Sequence, residues 1–67
     1  MLEFKVRLYN MAIWDSREPQ TVLASSALQA AEQASGERLR NVGTLGRLRA
    51  EVWAKNNPRE KQTYYSI

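Results

Sequence analysis

The side chains with chemistry to offer in this chain are cations and flat rings: Lys5, Arg7, Arg47, Arg49 and Lys55, with Tyr9, Trp53 and Tyr64. Guanidinium and ammonium groups hold phosphates or carboxylates, and exposed π faces stack on bases or under arginines. Acid/base and redox chemistry is poorly supplied. Histidine and cysteine are both absent, which removes imidazole bases, thiolate nucleophiles, disulfides and the usual transition-metal ligands. Asp15 is the sole aspartate and the six glutamates are dispersed, so no carboxylate pair or metal cage is written into the spacing. Ser25, Ser26 and Ser35 lack a neighbouring base. The expectation is a binding protein and not an enzyme, with no cofactor and no metal.

The charge is unevenly distributed. Residues 1–37 carry three Lys/Arg against five Asp/Glu, whereas residues 38–67 carry seven against two, giving the overall +3. A local basic excess of this size points to an anionic partner surface, such as nucleic acid or a nucleoprotein. Gly43-Thr44-Leu45-Gly46 before Arg47 lacks the glycine spacing and Gly-Lys-Ser/Thr ending of a phosphate-binding loop.

Placing those side chains requires a scaffold. With 67 residues, 43% of them hydrophobic and 25% charged, the chain suits one globular domain over 1–67. No apolar run approaches a membrane span, and Glu3 and Lys5 interrupt the start as no secretory leader would, so the expected location is the cytoplasm and no membrane is involved. Leu2, Phe4, Val6 and Leu8 alternate with Glu3, Lys5 and Arg7, which predicts a half-buried strand. Asp15-Ser16-Arg17-Glu18-Pro19 predicts a reversal, and Gln20–Ala24 a short second strand completing a hairpin.

Ser26 and Gln29 have capping-box spacing before a run of strong helix formers, and Gly36 supplies a left-handed stop. Ala27, Ala30, Ala31 and Ala34 form one stripe on that helix. Leu48, Ala50, Val52 and Ala54 alternate with Arg47, Arg49, Glu51, Trp53 and Lys55, which predicts a third strand. Asn56-Asn57-Pro58-Arg59-Glu60 reads as a turn. Lys61–Ile67 then reads as a last strand, with Thr63, Tyr65 and Ile67 on one side and Gln62, Tyr64 and Ser66 on the other.

The predicted architecture is therefore α+β, ββαββ, with one helix packed on one face of a small, mainly antiparallel sheet. The opposite face is expected to stay uncovered and to carry Lys5, Arg7, Tyr9, Arg47, Arg49, Trp53, Lys55 and Tyr64. Three uses of that face fit the residue types: a seat for single-stranded or distorted nucleic acid, a protein interface including a homodimer, and a solvated face of cross-strand ion pairs.

The segment Thr21–Ser35, with Ala24-Ser25 before the helix, Gln29-Ala30 within it, Ala34-Ser35 near its end and Gly43-Thr44 beyond, resembles small phage-encoded anti-CRISPR proteins. That resemblance implies a non-catalytic inhibitor that occupies the surface of a CRISPR complex by protein–protein contact. It assigns no binding residue here.

Overall fold

The computed structural model describes residues 1–10, 13–14 and 18–67, with the backbone alone at 10, 13 and 14. It contains β1 (Leu2–Asn10), β2 (Ile13–Trp14), β3 (Gln20–Ala24), α1 (Ala27–Ser35), β4 (Leu39–Arg40), a 3-10 turn at Leu45–Arg47, β5 (Leu48–Ala54) and β6 (Asn57–Ser66). The fold is α+β, as expected. Two two-residue strands, β2 and β4, are added to the predicted order.

All pairs among the described strands are antiparallel. β1 is central: β5 pairs along one side, while β3 and β2 pair with different lengths of its other side. From β5 the sheet continues through β6 to β4. The first hairpin joins Asn10 to Ile13, earlier than predicted. Met11, Ala12 and the Asp15-Ser16-Arg17 part of the expected reversal lie outside the described residues.

Alternation on β1 and β5 has the predicted consequence. Phe4, Val6, Ala50 and Val52 are buried beneath the helix with Ala24, Ala30, Ala31, Leu39 and Tyr64, and Leu8, Val22, Ala27, Ala34 and Ala54 pack around them. Val6 and Val52 sit directly opposite each other at the centre and are the largest fully buried side chains. Each contributes about 1.5–3 kcal/mol by leaving water. Two members of the expected core set differ: Leu2 is exposed at the start of β1, and Leu48 is buried outside the main cluster.

The helix begins and ends where its sequence dictates. Ser26 Oγ accepts from the Gln29 backbone N–H at 3.1 Å, while Gln29 Oε1 accepts from the Ser25 N–H at 2.8 Å and from the Ser25 hydroxyl at 2.7 Å. The return arm of the capping box thus reaches one residue further back than predicted. Gly36 adopts φ 75° and its N–H donates to the Glu32 carbonyl at 2.9 Å, a conformation that costs little only without a Cβ. Ser26→Ala is expected to lower stability by about 1 kcal/mol, read from the urea midpoint.

The last hairpin turns on Lys55-Asn56 alone, and β6 starts at Asn57. The predicted Asn56–Glu60 turn is therefore mostly strand. Pro58 is tolerated there because the β5–β6 register is irregular between Val52 and Ala54, where a missing N–H breaks no regular ladder.

β4 and β5 both run antiparallel to β6, so they run parallel to each other with β6 between them. Residues 41–47 must cross β6 to connect them. They cross over Tyr65: a Cβ built on Gly43 lies 2.6 Å from Tyr65 Cβ. Tyr64 occupies the core, so its neighbour Tyr65 faces the other way, and the crossing loop covers that end of the face away from the helix. The face is not wholly uncovered.

Candidate functional site

Period-two geometry on β1 turns Glu3, Lys5 and Arg7 away from the core, and the register sets their neighbours. Lys5 lies between Thr21 on β3 and Trp53 on β5, Arg7 lies opposite Glu51, and Glu51 lies opposite Thr63 on β6. Trp53 is half-buried on this face. Arg7 Cζ stands 5.7 Å from its ring centroid and Lys61 Nζ 5.1 Å, both within cation–π range. Trp53, Lys5, Arg7 and Lys61 therefore form one patch, as the sequence predicted for three of the four.

Carboxylates temper the patch. Arg7 approaches Glu51 at 3.8 Å, and Lys55 pairs with Glu3 at 3.1 Å while its backbone N–H donates to the Glu3 carbonyl. Lys5 Nζ donates to Thr21 Oγ1 at 2.7 Å. Such exposed pairs contribute about 0.2–1 kcal/mol each and weaken with salt. They set Arg7 beside Glu51 and Lys55 beside Glu3.

The other predicted residues are placed differently. Arg47 lies in the 3-10 turn before β5 and is exposed, because the alternating strand begins one residue later, at Leu48. Arg49 turns toward the end of the helix, where its Nε is 3.7 Å from Glu37 Oε1. A register shift between Leu48 and Ala50 takes it out of the phase that Glu51 and Trp53 keep. Tyr9 lines a shallow cleft with Leu8, Ser35, Glu37 and Arg49, apart from Trp53.

Tyr64 corrects the expected site outright. It is 4% exposed, within the core, opposite Ala50, and its hydroxyl donates to Gln62 Oε1. The outward rings of β6 belong instead to Tyr65, whose hydroxyl lies 3.3 Å from Thr63 Oγ1. Lys61, which the sequence pattern does not single out, shares that outward parity. Thr63-Tyr65-Ile67 is the more apolar of the two sets, so hydrophobic alternation favoured the wrong parity. The apolar tint of Tyr65 serves the loop that lies across it.

Burial pushes the Tyr64 hydroxyl above its usual pKa. Below about pH 10 both folded and unfolded chains keep this proton, and stability is insensitive to it. As pH climbs past that value the unfolded chain ionises first, so stability falls. The advantage of wild type over Tyr64→Phe should therefore shrink between about pH 9 and pH 11 in urea titrations. An advantage that grows there contradicts the placement.

Among the described residues no group of three or more His, Cys, Asp or Glu is arranged to hold a metal ion, and no helix is long and apolar enough to cross a membrane. Comparison with protein-family models, with characterised proteins and with solved structures finds no match.

Proposed function

We propose that this chain is a non-catalytic cytoplasmic binding protein that engages single-stranded nucleic acid, free or within a nucleoprotein, through the sheet face around Trp53. The observation that carries this reading is the Trp53 ring set among Lys5, Arg7 and Lys61 on the side away from the helix. Phosphates meet the ammonium and guanidinium groups, and a base replaces one of the cations over the indole. Each stacked base contributes roughly 1–3 kcal/mol.

Binding of a labelled oligothymidine, followed by anisotropy across a salt series, tests it. With three cations engaged, the slope of log affinity against log salt should be about −2 for a single strand. Lys61→Ala should flatten it by about 0.7, and Trp53→Ala should weaken binding about 5- to 150-fold. Absence of binding at low salt to both DNA and RNA single strands rejects the proposal.

A second reading is favoured by the Glu3–Lys55 and Arg7–Glu51 pairs. Alternating charge around an aromatic ring suits a protein surface, as in an inhibitor or adaptor of the kind the anti-CRISPR resemblance implies. In that case Trp53→Ala abolishes capture by the nucleoprotein while oligonucleotide binding is absent from the outset.

A further inference from the structure

The sheet has two free edges of opposite character. Along β6, from Asn57 to Tyr64, the side away from β5 meets no other described strand, since β4 pairs only with Tyr65 and Ser66. That edge carries Pro58, Arg59, Glu60 and Lys61, the residue types that discourage strand addition. At the other side β3 pairs with β1 and with no other described strand. Its sequence, Gln20-Thr21-Val22-Leu23-Ala24, holds no charge and no proline. An uncharged, β-branched edge in a chain that is 25% charged is an open template for another strand.

We infer that β3 is the interface at which two copies of this chain pair, antiparallel, into one continuous sheet. The self-complementarity of the edge selects the second copy. A twofold axis normal to the sheet preserves the two faces only if residue numbers across the junction sum to an even value. Centring it on Val22 sets Val22 against Val22, Thr21 against Leu23 and Gln20 against Ala24 of the second copy.

No like-charge pair arises in that register. Val22, which packs against the core, gains a β-branched partner on the helix side. Leu23, 56% exposed on the other face, gains cover. Leu2, also exposed, lies opposite Ala24 on β1. A core whose largest fully buried side chains are two valines has reason to recruit such added burial. This inference is independent of the sheet-face reading.

Sedimentation equilibrium of the full chain should show a concentration-dependent rise from 7.7 kDa to twice that mass. Leu23→Lys, which places a cation opposite Glu3 within its own sheet, should leave the circular dichroism unchanged and raise the dissociation constant about tenfold or more. Glu60→Lys on the protected edge should leave it unaltered. Because the chain has no cysteine, single introduced thiols report the register. Opposed residues have Cα atoms about 4.5–5.5 Å apart, within disulfide reach, so Val22→Cys should oxidise to a covalent dimer and Gln20→Cys should not. A monomer at every concentration overturns the inference. So does a dimer indifferent to Leu23→Lys, a dimer split by Trp53→Glu in its place, or one that fails to cross-link through position 22.

Discussion

Replacing Ala31 with leucine should unfold most of the protein or lower its stability by roughly 3 kcal/mol. Ala31 and Ala30 are fully buried and Ala27 and Ala34 flank them, so only methyl groups separate the helix backbone from the side chains on β1 and β5. Val6 and Val52 beneath are themselves fully enclosed. Three added carbons must therefore lift the helix off the sheet, exposing the valine pair along the way. For a domain this small, total stability sits near the low end of about 5–15 kcal/mol, and a loss of that size removes much of it. Gln33→Leu, on the exposed side of the same helix, adds a comparable side chain and should change the urea midpoint little. Equal midpoints for Ala31→Leu and wild type would show that the helix does not ride on its methyl groups.

The second large effect is expected at Gly43. A methyl group there falls 2.6 Å from Tyr65 Cβ, 2.8 Å from Cγ and 3.2 Å from Cδ2, well inside contact distance. A ring can rotate, but Cβ is fixed to the backbone of β6, and Tyr65 is paired on both sides, to Arg40 and to Leu48. Gly43→Ala must push the crossing loop outward, at a cost of about 1–3 kcal/mol. Gly46, three residues on, has nothing within 4 Å of where a methyl group would sit, and Gly46→Ala should stay within about 0.5 kcal/mol of wild type. Thermal melts of the two variants separate close packing from a general aversion to losing glycine in this loop. A Gly43→Ala variant as stable as Gly46→Ala removes the loop from the face of Tyr65.

Elements that carry their own periodicity were legible. The middle of β1 buries Phe4 and Val6 and β5 buries Leu48, Ala50 and Val52 in alternation, and the helix is bracketed by Ser26 and Gly36, so local residue choice and final position agree. What escaped is set by partners. Leu39-Arg40 is a strand only because Ser66 and Tyr65 lie beside it, and nothing in a two-residue stretch announces that. The phase of β6 was misread because Tyr64 and Tyr65 are identical in type and differ only in which covering, helix or loop, each one meets.

The candidate site divides along the same line. Lys5, Arg7 and Trp53 are in phase on regular strands and arrive together as their spacing demands. Arg49 was lost to a register shift at the beginning of β5, and Arg47 to a helical turn that precedes it. Lys61 reaches the tryptophan from a strand whose parity the hydrophobic pattern hid.

The loop over Tyr65 also constrains the order of assembly. β4, residues 41–47 and β5 form an arch, and the strand that fills it comes later in the chain. During synthesis the arch emerges from the ribosome empty, with β4 lacking the strand it pairs with. Either β6 slides beneath a finished span, or the span closes only after β6 has docked on β5. The second route avoids threading and makes the β5–β6 hairpin the earlier event, with closure of the arch as the final, slower step in reaching the native state.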